Sequence, residues 1–202
     1  MVVSRRAEYS EATRRALLDS AATKFLQKGY AATSLDEVAA GARVTKGAVY
    51  HHFPSKRAVY EALTEEAEQR AVAAIVEAAA EHESPWDGAL AGLDAFLHLC
   101  VDPTYSRLCF QEGPTVMGFD DWWRQGETYF VALTRSMIEG LRNLGLVETE
   151  DPEILSQMLF GSVTAAALLL ARSPDPEMLL PRVRSELLRF VERFRSDPPQ
   201  SG

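Results

Sequence analysis

Several features that would place this chain in other classes are scarce in its sequence. Two cysteines are too few for the disulfide framework of a small secreted protein. The longest apolar run, residues 163–171, is interrupted by Thr164 and is much shorter than the roughly 20 residues that cross a membrane. Residues 1–6 lack the apolar stretch of a secretory signal. We therefore expect a soluble chain in a reducing, cytoplasmic setting.

Charge is abundant but unevenly distributed. The 202 residues are 47% hydrophobic, enough for a substantial core, and carry a net charge of -8. Such a negative balance by itself argues against binding to nucleic acid, whose phosphates attract Lys and Arg. Residues 1–60, however, hold ten Lys and Arg against five Asp and Glu, which leaves 11 against 24 for the remainder. One basic end and one acidic remainder indicate that the two parts have different partners.

The basic end begins with the pattern of an amphipathic helix. Leu17, Ala21 and Phe25 lie on one stripe of a helix over residues 13–28, which Gly29 ends. The polar side chains of this segment lie off that stripe. The segment is therefore expected to support whatever follows it.

Two shorter helices and a long one are expected next. Ser34 and Glu37 form a capping-box pattern for a short second helix. Thr45 is placed to cap a third, and Ser55 to cap a long helix over residues 56–81, which contain no Gly or Pro. Two short helices separated by a tight break form a helix-turn-helix pattern.

The rest of the chain reads as helices separated by glycine and proline. Residues 84–85, Ser-Pro, are typical of a helix start, and residues 102–103, Asp-Pro, of its end. Apolar residues recur every three or four positions between the later breaks. Those breaks are at Gly113, Pro114, Gly118, Gly145, Pro152, Pro174 and Pro176. We predict an all-α fold of about nine helices with no sheet, frayed over residues 1–8 and 196–202.

A continuous string makes the N-terminal unit more specific. Residues 45–56 read Thr-Lys-Gly-Ala-Val-Tyr-His-His-Phe-Pro-Ser-Lys, and with the upstream Lys28-Gly29-Tyr30 and Thr33-Ser34 they resemble the recognition-helix signature of TetR-family repressors over residues 10–65. The resemblance implies an N-terminal DNA-binding domain with a helix-turn-helix, residues 1–55, and a C-terminal helical domain for ligand binding and dimerisation, residues 56–202. It also implies a ligand-responsive transcriptional regulator and repressor.

The resemblance assigns roles around the third helix. Lys46 is placed to donate to guanine at the helix start, and Ala48 to touch a thymine methyl. Tyr50, His51 and Lys56 match positions that hold the phosphate backbone, and the start of the second helix offers N–H groups to another phosphate. The predicted DNA-binding residues are Thr33, Ser34, Arg43, Thr45, Lys46, Gly47, Ala48, Tyr50, His51 and Lys56.

One residue departs from the family pattern. Family members commonly carry Gly in the turn just before the apolar residue matched here by Val44, whereas this chain has Arg43, with Gly41 two positions earlier. A left-handed arginine costs about 1 kcal/mol. We expect Arg43 to accept that strain and gain a phosphate contact, rather than the turn to be altered.

The C-terminal domain is rich in aromatic and soft side chains between residues 96 and 137. Apolar pockets are lined in this way, and His98, Arg107, Gln111 and Glu112 are candidate polar groups to orient a ligand. Residues 111–118 resemble a loop between two helices of this domain in the family. Ordinary helix packing is the alternative for many of these rings. The predicted ligand-binding residues are Phe96, Cys100, Tyr105, Arg107, Cys109, Gln111, Met117, Phe119, Trp122, Trp123, Tyr129, Phe130 and Met137.

Two helices near the end, residues 154–170 and 178–194, have broad apolar faces. A symmetric four-helix interface between two copies would cover these faces and fits the two-fold symmetry of a palindromic operator. The alternative is that they close the core of a single copy. The predicted interface residues are Leu155, Leu159, Val163, Leu179, Leu187 and Phe190.

Parts of the sequence are also compatible with two other functions. Cys100 and Cys109 with His98 suggest a thiol enzyme or a metal site, but zinc usually needs four ligands at recognised spacings, and no CxxC or HxxxH occurs. The acids at 120–121 and Glu127 fit a helix start better than acid–base catalysis. A small-molecule-binding protein without a DNA role is disfavoured by the basic N-terminal unit. We predict no enzymatic activity, no metal and no cofactor.

The predicted partners are double-stranded operator DNA, a small apolar or aromatic effector, and a second copy of the chain, with no membrane. The expected mechanism is a shift in population. An effector tilts the long helix after Ser55, so that the paired reading heads, about 34–36 Å apart, no longer match successive grooves of the DNA.

Overall fold

The computed structural model describes residues 5–196. Within that range the chain forms α-helices and one π-helical segment and no β-strand, and only Val147 and Arg195 pair as an isolated antiparallel bridge. The elements are α1 (Arg5–Ala32), α2 (Leu35–Gly41), α3 (Lys46–His52), α4 (Lys56–Ala80), α5 (Pro85–Val101), α6 (Pro103–Tyr105), the π-helical segment (Ser106–Glu112), α7 (Gly113–Met117), α8 (Phe119–Asn143), α9 (Pro152–Arg172) and α10 (Pro176–Glu192).

Three of these elements follow one another without interruption. We call α6, the π-helical segment and α7 together the π rod, residues 103–117. Counted with the π rod as one unit, the described part of the chain contains nine helical rods. The expected all-α fold of about nine helices is thus confirmed.

The N-terminal unit, α1 to α3, forms where the capping residues indicate. Ser34 and Glu37 make the complete capping box of α2, and the Thr45 side chain accepts a hydrogen bond from the Ala48 N–H at the start of α3. Gly29, at φ 86°, interrupts the helical geometry of α1 near its end. Arg43 has φ 57°, which confirms the left-handed backbone expected between α2 and α3.

The N-terminal unit shares its core with α4. Leu18, Phe25, Val38 and Val49 are buried in one cluster with α4 residues such as Tyr60. Apolar side chains from all four helices therefore anchor α3 to the core that the N-terminal unit shares with α4. Burial of this kind contributes about 1.5–3 kcal/mol for each large side chain.

The remaining helices surround a second apolar region. The α5 helix packs mainly on α4, α8 packs on α9, and α9 also contacts α5, α10 and the π-helical segment. By length and composition alone α9 is able to cross a membrane, yet 44% of its most apolar stretch is buried inside this structure. It is packed as the core helix of a helical bundle.

The structure differs from the sequence-based expectation in two places. Gly113 and Pro114 do not break the chain, because Pro114 lies in the first turn of α7, where its missing N–H has no intrahelical acceptor. The loop expected over residues 111–118 is therefore helical as far as Met117, and the chain turns at Gly118, φ 79°. Residues 5–8, expected to fray, are helical, whereas residues 1–4 and 197–202 lie outside the described range.

Candidate nucleic-acid interface and ligand cavity

The outer surface of α3 presents most of the residues predicted to read DNA. Thr45, Lys46, Gly47 and His51 are exposed, and Tyr50 is 51% exposed although it is a large aromatic side chain. Ala48 is half-buried. The neighbouring Val49 is fully buried and fastens the helix to the core. The helix therefore offers a polar, narrow edge of the size that enters a major groove.

Lys46 already has a partner within the N-terminal unit. Its ammonium lies 2.8 Å from a carboxylate oxygen of Asp36 on α2, and hydrogen bonding to Asp36 raises the pKa of Lys46. Both side chains are well exposed, so the pair contributes little to stability. The ion pair keeps the Lys46 ammonium beside α2 in this structure.

Two predicted phosphate contacts at the start of α2 are placed differently from each other. The Thr33 side chain is buried and donates to the Gly29 carbonyl at 2.8 Å, so it fastens the turn after α1. Ser34 is exposed and shares a hydrogen bond with the Glu37 carboxylate. Hydrogen bonds from Lys28 and Ser34 lower the pKa of Glu37 to about 2. A carboxylate therefore stands at this helix start.

Lys56, the last residue of the signature string, points into the protein. Its ammonium donates to the carbonyls of Tyr30 and Thr33, each at 2.8 Å, and lies 4.2 Å from the centre of the Tyr30 ring. In this structure the charge is satisfied by the turn between α1 and α2. Lys56 therefore positions the N-terminal unit on α4, and a phosphate contact remains a sequence-based prediction.

A second joint links the N-terminal unit to the π rod. The Arg107 guanidinium donates to the Leu26 carbonyl at 2.9 Å and to the Glu112 carboxylate at 3.1 Å. The same carboxylate accepts from the Tyr30 N–H at 3.0 Å. Gly29 allows this close approach, because a Cβ there would lie 3.0 Å from Glu112 Oε1 and 3.1 Å from Arg107 Nη2.

Two buried side chains hold the π-helical segment from the other sides. The Tyr60 hydroxyl donates to the Leu108 carbonyl at 2.6 Å, and the Trp122 indole N–H donates to the Cys109 carbonyl at 2.6 Å. The segment is thus fixed between α4, α8 and the end of α1.

A cavity of about 170 Å³ lies inside the C-terminal domain. A single water needs roughly 10–15 Å³ of such space, so the cavity is large enough for a small organic ligand. It is lined by α4, α5, the π rod, α8, α9 and the segment around residues 191–194. Of the predicted ligand-binding residues, those on its wall are Phe96, Tyr105, Cys109, Trp122, Trp123, Phe130 and Met137.

The other predicted ligand-binding residues lie away from the cavity wall. They are Cys100, Arg107, Gln111, Met117, Phe119 and Tyr129. Arg107 contacts the end of α1 instead. Glu112, another candidate group for orienting a ligand, also contacts the end of α1. Cys100 is buried in the core, and Phe119 is exposed and stacks on Trp123. His98 is exposed and contacts the Asp94 carbonyl.

The sequence-based reasoning missed the acidic group on the cavity wall. Glu68 is only 5% exposed and accepts a hydrogen bond from Gln125 Nε2 at 2.8 Å. Burial raises the pKa of Glu68 to about 7, against the hydrogen bond from Gln125 and with some help from Glu65. Its position along α4 could have indicated burial. Glu68 lies on the same face of the helix as Thr64, Ala71 and Ile75, which are all buried.

The apolar faces of α9 and α10 point in two directions. Leu155, Leu159 and Val163 line the cavity, and Leu187 is buried in the core of the same chain. Leu179 and Phe190 are half-buried. The apolar side chains that face outward are instead Ile154, Met158, Leu169 and Met178, each more than half exposed. We call these four residues the outer stripe.

Comparisons with known proteins agree with this architecture. Residues 86–194, more than half of the chain, match the family described as "Tetracyclin repressor-like, C-terminal domain", and residues 17–63 match "Bacterial regulatory proteins, tetR family". The Transposon Tn10 TetC protein of Escherichia coli is 25% identical over 154 residues, which cover 76% of this chain and 78% of TetC.

A shorter match and a solved structure add to this. The Staphylococcus aureus (strain Newman) protein IcaR, a negative transcriptional regulator of the icaADBC biofilm operon, is 42% identical over 45 residues, 22% of this chain and 24% of IcaR. The crystal structure of a TetR-family transcriptional regulator from Pectobacterium atrosepticum is 27% identical, with a TM-score of 0.84, and the match covers 97% of this chain and all of that one. Regulators of this family are soluble DNA-binding proteins, typically dimeric and generally not enzymes. The chain belongs to the TetR family and is a DNA-binding transcriptional regulator.

Proposed function

We propose that this protein is a cytoplasmic repressor that binds a palindromic operator as a homodimer and leaves it when a small apolar or aromatic effector enters the cavity. One observation carries the proposal. The π-helical segment contributes Cys109 and Phe110 to the cavity wall, while Arg107 and Glu112 of the same segment contact the end of α1. A ligand in the cavity and the N-terminal unit therefore both contact one short element, the π-helical segment.

The DNA-facing side of the proposal rests on the exposed edge of α3. Thr45, Lys46 and Gly47 are open to solvent at its start, where a helix in the major groove meets base edges. Arg43 is exposed in the turn before it and is our proposed phosphate contact. Lys46 forms an ion pair with Asp36 on α2. To contact the operator, Lys46 must therefore leave Asp36 and bind DNA instead.

The homodimer rests on the outer stripe. Ile154, Met158 and Leu169 lie along one side of α9 at helical spacing, and Met178 on α10 is 74% exposed. Exposed apolar patches of this kind mark interaction surfaces. An isologous contact between two copies relates their N-terminal units by a two-fold axis. A palindromic operator requires this arrangement because its half-sites have the same symmetry.

Coupling between cavity and DNA has two routes. The α4 helix carries Glu68 and Ile75 on the cavity wall. It also carries Lys56, whose ammonium binds the turn between α1 and α2. The π rod carries the Arg107 and Glu112 joint. A ligand that moves either element tilts the N-terminal unit. A coupling free energy of about 1–3 kcal/mol between the two sites changes operator affinity roughly 5- to 150-fold. The division at residues 55 and 56 stays our proposal, since Lys56 contacts both sides of it.

A thiol enzyme is disfavoured by the state of its two cysteines. Cys100 and Cys109 are buried, and burial raises the pKa of both thiols well above the ordinary value. A thiolate nucleophile needs the opposite shift. A ligand carrier without a DNA role gives no reason for the exposed, capped α3 with Lys46 at its start.

The test combines ligand binding with DNA release. Trp122 and Trp123 line the cavity, so a bound compound changes tryptophan emission. Apolar and aromatic compounds are screened for that change, and those that bind are added to the complex of the protein with its selected duplex. We expect binders to lower duplex affinity. Binders that occupy the cavity and leave duplex affinity unchanged would overturn effector control.

A further inference from the structure

The cavity wall is apolar with few polar interruptions. The Trp122 indole N–H and the Thr134 hydroxyl, both on the wall, are satisfied by the carbonyls of Cys109 and Phe130. Three other oxygen-bearing groups on the wall, those of Glu68, Tyr105 and Thr164, have no such backbone partner among the described residues. Their chemistry therefore decides which polar group a ligand must bring.

Glu68 is a buried acid without a cationic partner. Among residues 8–196 no Lys, Arg or His forms an ion pair with its carboxylate or influences its pKa, and its one side-chain donor is the Gln125 amide. That amide is itself held by the Thr64 hydroxyl at 3.0 Å. Buried carboxylates in proteins are normally paired with a cation or held by several donors. One face of the Glu68 carboxyl group thus remains available to the cavity.

Tyr105 provides a second and independent observation. It is 6% exposed, lines the cavity, and its hydroxyl is buried without a hydrogen-bond partner within the described chain. Its ring is held edge-on by Phe96 and Phe110, with ring centres 6.4 and 5.8 Å apart. Buried hydroxyls are almost always hydrogen-bonded, so this one indicates that a ligand or an ordered water supplies the partner.

The charge of the wall selects the ligand further. The cavity lining includes one acid, Glu68, and no Lys, Arg or His. A carboxylate or phosphate ligand would therefore meet a negative group and no positive one. Aromatic rings at Phe96, Phe130 and Trp123 also line the cavity, and the face of such a ring attracts a cation in an otherwise apolar site.

We propose that the effector is a protonated amine on a small apolar or aromatic body, with its ammonium group against Glu68 and a hydrogen bond to the Tyr105 hydroxyl. This inference rests on the proposed role of the cavity as the effector site and names the ligand class of that site. The apolar body lies in the cavity against the wall formed by Phe96 and Phe130, whose rings pack edge to face with their centres 5.3 Å apart.

Binding of such a ligand is coupled to ionisation of Glu68. The polar groups around it are Gln125 and Tyr129 from α8, Tyr105 and Cys109 from the π rod, and Glu65 from α4. Because the pKa of Glu68 is about 7, only about a tenth of the carboxyl groups are ionised at pH 6 and about nine-tenths at pH 8. A ligand that needs the carboxylate binds roughly tenfold more tightly at pH 8 than at pH 6.

The test uses three probes with one body: 4-phenylbutylamine, 4-phenylbutan-1-ol and 4-phenylbutyrate. Calorimetry on the full-length protein without DNA gives the affinity of each, so the result does not depend on repression. We expect the amine to bind at least tenfold more tightly than the alcohol at pH 8, with the butyrate weakest. In two buffers of different ionisation enthalpy at pH 6, amine binding should release close to one proton.

Variants separate the two groups on the wall. Glu68→Gln should bring amine and alcohol to within about twofold of each other and remove the pH dependence, while Tyr105→Phe should weaken both. Glu77→Gln, at an exposed acid on the same helix that does not line the cavity, is the matched control and should keep the amine preference. The proposal is overturned if the wild-type protein binds the alcohol or the butyrate as tightly as the amine, or does not bind the amine. If the amine binds as expected and leaves DNA affinity unchanged, the ligand class stands and the repressor mechanism fails.

Discussion

The Glu112 carboxylate accepts a hydrogen bond from the backbone N–H of Tyr30 at 3.0 Å, although 82 residues separate them in sequence. This bond joins the π-helical segment, which also lines the ligand cavity through Cys109 and Phe110, to the end of α1 in the N-terminal unit. The geometry depends on Gly29, whose φ of 86° and missing side chain let the carboxylate and Arg107 approach the backbone.

Replacing Gly29 with alanine should therefore loosen this joint. An added Cβ meets Glu112 Oε1 at 3.0 Å in a backbone conformation that alanine rarely adopts, so we expect Gly29→Ala to lower the free energy of unfolding by about 1–3 kcal/mol. The matched control is Gly140→Ala in α8, where a Cβ meets nothing within 4 Å. It should stabilise by about 0.5–1 kcal/mol. Urea denaturation measures both, and equal effects would show that Gly29 has no special role.

Lys56 and Arg43 should differ in how they affect DNA binding. Since the Lys56 ammonium is bound by the carbonyls of Tyr30 and Thr33, we expect Lys56→Met to weaken all duplexes without changing the salt dependence. Arg43→Gly removes an exposed charge at a position with φ 57°, and it should lower the slope of log affinity against log salt by about 0.9 for each lost contact. Fluorescence anisotropy at several salt concentrations measures both slopes. If Lys56→Met lowers the salt slope as much as Arg43→Gly does, Lys56 contacts a phosphate after all.

The outer stripe should control the oligomeric state. A charge in an apolar interface is costly, so Leu169→Glu should convert dimer to monomer at micromolar concentration in sedimentation velocity. Leu144→Glu, at an equally exposed leucine after α8, should leave the dimer intact. Leu155→Ala should instead destabilise each chain by about 2–5 kcal/mol, because Leu155 is buried against the cavity. Dissociation by Leu155→Ala and not by Leu169→Glu would place the interface where the sequence first suggested.

Glu68 should make stability depend on pH. Its pKa of about 7 in the folded protein lies above the ordinary value of 4.5, so its contribution to stability is complete below pH 4.5 and is lost as the pH rises through 7. The loss is on the order of 3 kcal/mol at about 1.4 kcal/mol for each pKa unit. Compared with Glu68→Gln, the wild-type protein should therefore lose stability from pH 5 to pH 8. Parallel pH profiles of the two proteins in urea denaturation would show that Glu68 ionises normally.

Local chemistry in the sequence predicts the N-terminal unit well. Ser34, Thr45 and Ser55 cap their helices as expected, because a cap is decided by one side chain and the N–H groups next to it. The left-handed Arg43 is expected for a different reason, because the family commonly has Gly at this place in the turn. These features need no knowledge of distant contacts.

Distant contacts explain what the sequence did not reveal. The α9 helix is apolar on two sides, so periodicity alone does not distinguish Leu155, which faces the cavity, from Ile154, which faces outward. Lys56 is polar and basic in either role, and only the fold shows that carbonyls surround it. The chain also passes from the π-helical segment through Gly113 into α7 without a break, which no propensity scale indicates.

The most direct test of the central claim is selection of duplexes from a random pool by the purified protein at low ionic strength. The account predicts enrichment of a palindromic sequence whose half-sites lie about 10–10.5 base pairs apart, or a multiple of that. Lys46→Ala should reduce discrimination between this sequence and others by about 1–3 kcal/mol. A pool that remains random after repeated rounds with the wild-type protein would contradict the assignment of α3 as a DNA-reading helix.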